Sequence, residues 1–73
     1  MNPKPPKTVI GRRLRSDRKA AKLTLRGLEA LSGVSNCYIS QIENGRVRDI
    51  TTGICAKLAK ALKCDPAWLA GWE

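Results

Sequence analysis

The sequence has no histidine, and its three cysteines, Cys37, Cys55 and Cys64, are odd in number and form no Cys-x-x-Cys pair. A zinc site therefore has no ligand set, and a disulfide framework is unsupported. The three thiols read as small apolar residues. With no imidazole, the charge of the chain should change little between about pH 5 and 8. No two carboxylates stand at a spacing suited to general acid–base work, no glycine-rich loop is present to cradle a phosphate, and 73 residues leave little room for a pocket. An enzyme, a metal, a cofactor and a small-molecule ligand are all not expected. No apolar run approaches the length of a membrane span, and residues 1–7 carry charge without the apolar core of a secretion signal. The chain reads as cytosolic.

Acidic residues are scarce as well. Six Asp+Glu face fourteen Lys+Arg, a formal charge of +8, and eleven of the basic residues lie within residues 1–48 beside only Asp17, Glu29 and Glu43. That asymmetry calls for a polyanion, either nucleic acid or an anionic membrane. The length allows one small domain with a modest core.

Residues 1–7 hold three prolines and two lysines. They are too proline-rich for a helix and read as a flexible basic arm, either an idle tail or a strand of charge laid along phosphates. Residues 8–73 form the domain. Thr8 is a capping residue, and Ile10, Leu14 and Ala21 share one stripe of a first helix otherwise covered by Arg12, Arg13, Arg15, Lys19 and Lys22. The stripe is narrow and has no aromatic residue, which speaks against a membrane-surface helix. Arg18 interrupts it and requires a partner if it is covered. Thr24 caps a second helix with Leu25, Leu28 and Leu31, ended by the Ser32-Gly33 turn.

A third helix is predicted over residues 35–44, with Ser35 as its cap and Asn44-Gly45 as its stop. Ile39 and Ile42 bury together, while Asn36, Cys37, Ser40, Gln41 and Asn44 line the other face with short or amide side chains that reach a base edge without filling a groove. Helix, glycine turn and polar-faced helix make a helix-turn-helix layout. Thr51 opens a fourth helix with Ile54, Leu58 and Leu62 on its stripe and Lys57, Lys60 and Lys63 on a solvated face. Asp65-Pro66 opens a short fifth that carries Trp68 and Leu69. The prediction is an all-α bundle of five short helices without strands or repeats.

Leu23-Thr-Leu-Arg, Leu28, Ser32-Gly-Val-Ser, Tyr38-Ile-Ser-Gln-Ile-Glu-Asn-Gly45 and Leu58-Ala-Lys-Ala-Leu followed by Trp68-Leu69 occur in order, and in this the chain resembles the lambdoid phage repressor and Cro family of helix-turn-helix regulators over residues 8–72. The resemblance implies a lambda-repressor-like fold, the motif at residues 25–44, and double-stranded operator DNA bound by a homodimer. Ser35, Asn36, Cys37, Ser40 and Gln41 fall where that family reads bases. Thr24 and Leu25, at the start of the second helix, and Asn44, Arg46 and Arg48 fall where it holds phosphates, and Tyr38 either packs beside the motif or touches a phosphate. Arg18 and Glu43 match a pair that ties the first helix to the third. Pro66, Ala67, Trp68 and Leu69 fall at the dimer contact, to which Trp72 adds apolar surface.

Two positions depart from the family pattern. Glu29 stands where alanine is usual, so it either reaches out to a nearby arginine or loosens the contact between the second and third helices. Leu25 stands in place of a phosphate-binding glutamine, leaving that contact to backbone N–H groups. Gln41 and Asn36 suit bidentate contacts to adenine, each worth roughly 1–3 kcal/mol of discrimination. The function expected is a sequence-specific transcriptional regulator, most simply a phage-type repressor on a palindromic operator. The alternative is an antitoxin-type interaction module that regulates its own expression through DNA.

Overall fold

Four helices begin on the capping residues the sequence offers. Thr8 Oγ1 accepts from Gly11 N at 3.0 Å, Thr24 Oγ1 from Gly27 N at 2.9 Å, Thr51 Oγ1 from Ile54 N at 3.2 Å and Asp65 Oδ1 from Ala67 N at 2.9 Å. Each removes one of the orphan donors of a helix start. The structure, a computed structural model, describes residues 8–47 and 50–71. Among them lie α1 (Val9–Ala20), α2 (Leu25–Ser32), α3 (Asn36–Glu43), α4 (Thr52–Leu62) and α5 (Pro66–Ala70), with no strand.

The helices pack in a closed cycle: α1 on α3, α3 on α2, α2 on α4, α4 on α5 and α5 back on α1. Ile10 and Leu14 of α1, Leu28 of α2, Val34 of the turn, Ile39 and Ile42 of α3, Cys55, Leu58 and Ala59 of α4 and Leu69 of α5 form one buried cluster. At the α1–α3 crossing the backbones nearly touch. A Cβ on Gly11 would lie 2.5 Å from the carbonyl oxygen of Ile42 and 3.1 Å from that of Glu43. Only glycine permits this approach.

Four expected core positions, Ala21, Leu31, Ile54 and Leu62, are not buried. Ala21 is exposed because α1 has already ended, and Lys22 turns the chain in the left-handed region at φ 59°. Leu31 is 61% exposed. Spacing of three drifts by about 60° per step, so Leu25 and Leu31 flank Leu28 on opposite sides, and the packed side is that of Leu25. In α4 the buried stripe is centred on Cys55, Leu58 and Ala59, leaving Ile54 and Leu62 half-buried.

Candidate nucleic-acid interface

α3 is held from both sides by ionised groups. From α1, Arg18 donates Nε to Glu43 Oε2 at 2.7 Å and Nη2 to Oε1 at 3.0 Å, while Nη1 donates to the Leu23 carbonyl at 2.8 Å. Both side chains are nearly covered, at 12% and 6% exposure. The bidentate bond to Glu43 raises the Arg18 pKa against the opposing effect of burial.

From α2, Glu29 crosses the turn. Its Oε2 accepts from the Asn36 backbone N–H at 3.2 Å, and its Oε1 accepts from Asn36 Nδ2 at 3.0 Å. Glu29 therefore caps α3, and Ser35, which stands at the N-cap position, makes no side-chain cap bond. Glu29 spends both oxygens on Asn36 rather than on an arginine, with Arg26 near enough only to favour its ionised form, and it ties α2 to α3 instead of loosening their contact. The two Asn36 bonds pull the Glu29 pKa below the ordinary carboxylate value.

The far end of α3 closes through Gly45 at φ 77°, with Gly45 N donating to the Ile42 carbonyl at 3.1 Å and Arg46 N to the Gln41 carbonyl at 2.9 Å. These two bonds form a Schellman closure and place Arg46, exposed, immediately beyond the helix.

On α3 itself, Ile39 and Ile42 are buried and Cys37 and Gln41 are exposed on the opposite side. Ser40 is half-buried, and its hydroxyl accepts from Asn44 Nδ2 at 3.3 Å one turn on, so these two side chains are partnered with each other. Asn36 is half-buried and committed through Nδ2 to Glu29, while its Oδ1 takes only a weak contact from Cys37 Sγ at 3.7 Å. Ser35 is exposed, and Tyr38 packs half-buried against the core. At the start of α2, Thr24 is exposed with its hydroxyl serving the cap, and the Leu25 side chain packs on the core. Arg12, Arg15 and Lys19 line a shallow cleft with Ser16 beside Glu43. Sequence reasoning named none of these as contacts, although their charge was plain. Arg48 lies outside the described residues.

The C-terminal segment differs from expectation. Leu69 is fully buried and completes the domain's own core, since the single turn of α5 points it inward. Trp68 is half-buried. The Arg13 guanidinium sits 4.7 Å from the centre of its ring, and Arg13 Nη1 donates to the Trp68 carbonyl. The pairing clamps α5 to α1. Pro66 is exposed, Ala67 is half-buried, and Trp72 lies outside the described residues.

This arrangement of α2, turn and α3 matches the helix-turn-helix family over residues 14–69. The chain belongs to the repressor/Cro branch of that family. It is 43% identical over 50 residues to an uncharacterized HTH-type transcriptional regulator of Mycobacterium tuberculosis, a match covering 68% of this chain and 35% of the relative, so the chain spans about a third of that protein's length. Among solved structures, it is similar to the P22 c2 repressor in complex with a synthetic operator, with a TM-score of 0.80, 34% identity, and coverage of 89% of this chain and 97% of that one. It is also similar to the restriction-modification controller protein C.AhdI of Aeromonas hydrophila, with a TM-score of 0.76, 35% identity, and coverage of 82% and 89%. The fold of this helix-turn-helix member is thus the lambda-repressor-like one. Among the described residues no helix is long and apolar enough to cross a membrane.

Proposed function

We propose that this chain binds double-stranded DNA sequence-specifically, with α3 in the major groove, and acts as a transcriptional repressor on a palindromic operator. The observation that carries the reading is the two-faced α3. Ile39 and Ile42 fix its inner side, while Cys37 and Gln41 stand exposed on the outer one. An α-helix fits the major groove, and an exposed glutamine amide matches adenine N6 and N7. Gln41 is the principal base reader, helped by Ser35, Asn36, Cys37 and Ser40. Backbone N–H groups at Thr24 and Leu25, together with Tyr38, Asn44, Arg46 and Arg48, hold phosphates, which position the helix without specifying sequence. Arg12, Arg15 and Lys19 add positive charge along α1.

One module of this size covers only about 600–1,000 Å² of its own surface on DNA, so two modules on half-sites about one helical turn apart make the tight complex. The dimer contact lies on Pro66, Ala67, Trp68 and Trp72. Leu69 supports it from beneath rather than touching the partner.

The test is selection of bound sites from a random duplex pool, followed by titration of single-base variants. Gln41→Ala should flatten preference at one or two positions per half-site, and Arg46→Ala should weaken all sequences alike. With six or more phosphate contacts per dimer, affinity should fall on the order of 10³-fold between 50 and 200 mM salt. A wild type that enriches no sequence, or a Gln41→Ala profile identical to that of wild type, would overturn the reading.

A further inference from the structure

A carboxylate stands at the edge of the proposed base-reading surface, and it is bonded to one of the base-reading side chains. Glu29 Oε1 accepts from Asn36 Nδ2 at 3.0 Å while Oε2 accepts from the Asn36 backbone N–H at 3.2 Å. An ionised carboxylate offers only acceptors. It therefore tolerates one orientation of the Asn36 amide, with nitrogen toward Glu29 and oxygen away, because the flipped amide would set two acceptors against each other. The backbone bond to the same carboxylate removes its remaining freedom, since Oε2 is held by the main chain of the residue whose side chain Oε1 orients. The outward Oδ1 meets nothing stronger than the Cys37 thiol at 3.7 Å. Asn36 is thus presented to a ligand with its acceptor leading.

We infer that Glu29 is a positioning residue for specificity: it locks the Asn36 amide with its oxygen outward, so that the first turn of α3 selects a base carrying an amino group in the major groove. This rests on the DNA-binding reading above and deepens it. Adenine N6 and cytosine N4 are the amino groups offered there, whereas guanine presents O6 and N7 and thymine presents O4, all acceptors. An oxygen-first asparagine accepts from adenine or cytosine and opposes guanine or thymine. An unlocked asparagine flips and serves either class. Glu29 touches no base in this scheme; it acts only through Asn36.

The experiment compares wild type with Glu29→Gln on the duplex that wild type selects, substituting all four bases at each position. Glutamine keeps the length, and with its single acceptor on the α3 cap it turns an amino group toward Asn36, which then favours the flipped amide with nitrogen outward. Wild type should favour adenine or cytosine over guanine or thymine on the order of tenfold at one position per half-site. Glu29→Gln should abolish or invert that ratio at that position alone. The same substitution placed on Asn36→Ala should change no position, which a merely structural role for Glu29 would not predict. A DNA-free readout accompanies this: the Asn36 side-chain amide protons of the free protein should shift as Glu29 titrates, below the ordinary carboxylate range.

A selective wild type whose profile survives Glu29→Gln, or one that prefers guanine or thymine at the affected position, overturns this assignment and leaves the proposed function standing. A wild type with no base preference overturns both. Amide protons that do not respond to Glu29 titration overturn the contact itself.

Discussion

Replacing Gly11 by alanine tests how α3 is mounted. In a free helix the change would help, since glycine in a helix interior costs about 1 kcal/mol relative to alanine. Here the added Cβ would sit 2.5 Å from the Ile42 carbonyl oxygen, 3.0 Å from Thr8 Oγ1 and 3.1 Å from the Glu43 carbonyl oxygen. Close carbon–oxygen contacts settle near about 3.3 Å, so α1 and α3 must part by roughly 0.8 Å. Two of the three obstacles are backbone and cannot rotate aside. A gap of that order forfeits a quarter to a half of each dispersion contact across the crossing, and overpacking of a tight core costs about 1–3 kcal/mol. The separation also stretches the Arg18–Glu43 pair, which spans the same two helices.

After the propensity gain is subtracted, Gly11→Ala should destabilise by about 1–2 kcal/mol, read as a fall in Tm of roughly 5–15 °C by circular dichroism. Gly53 supplies the internal control. It is exposed, and a Cβ there meets nothing nearer than Thr51 Oγ1 at 3.9 Å, so Gly53→Ala should be neutral or stabilising by up to about 1 kcal/mol. The informative result is the opposite sign of one substitution at two helical glycines. Gly11→Ala melting at or above wild type would refute the close approach, and with it the claim that this glycine seats α3.

Other expectations follow from single features. Glu43→Ala strands the covered Arg18 guanidinium and should cost about 3 kcal/mol or more in urea unfolding, whereas the double change Arg18→Met with Glu43→Leu should recover part of that loss. Lys63 ends α4 in the left-handed region at φ 57°, so Lys63→Gly should relieve strain and raise stability by up to about 1 kcal/mol, seen as a Tm rise of a few degrees. Cys37 is exposed, Cys55 is buried and the Cys64 thiol is pushed up to about 11, chiefly by burial, so one equivalent of maleimide near pH 8 should label Cys37 first by mass spectrometry and abolish DNA binding. Labelled protein that binds its operator normally would remove Cys37 from the interface.

What was legible in the sequence is mostly what is local. Thr8, Thr24, Thr51 and Asp65 each cap the helix they precede because a short oxygen-bearing side chain reaches an N–H two or three residues on, whatever the rest of the chain does. The Arg18–Glu43 pair was legible for a different reason. A charge in an otherwise apolar stripe has few ways to be covered, and the resemblance named its partner. The errors lie where the answer depends on which neighbour arrives. Leu31 and Leu25 are equivalent by periodicity from Leu28, and only the direction of approach of the adjoining helices decides that Leu31 stays in water. Leu69 looks like a spare apolar residue on a five-residue helix until that helix folds back on α1 and buries it. Nothing in the sequence shows that the α3 backbone comes to rest on Gly11, since a carbonyl oxygen leaves no mark in the residue that carries it.

Glu29 shows how a misfit to a family pattern becomes informative. Judged against a position that normally holds alanine, it looked like a packing fault between α2 and α3. Judged by its chemistry, it is the group that a helix start with an idle N-cap hydroxyl lacks: an anion within reach of free N–H donors and of the positive end of the α3 dipole. Placing it on α2 rather than at Ser35 makes the cap a bond between two helices, so α3 cannot shift without breaking it. Arg18 does the same at the other end of α3 from α1, and Gly11 sets the distance at which that bond closes. α3 is therefore positioned by three contacts that are neither local nor apolar. Substitutions at Gly11, Arg18 or Glu29, none of which need touch a base, should alter operator affinity by displacing Gln41, and should do so by more than their loss of folded population explains.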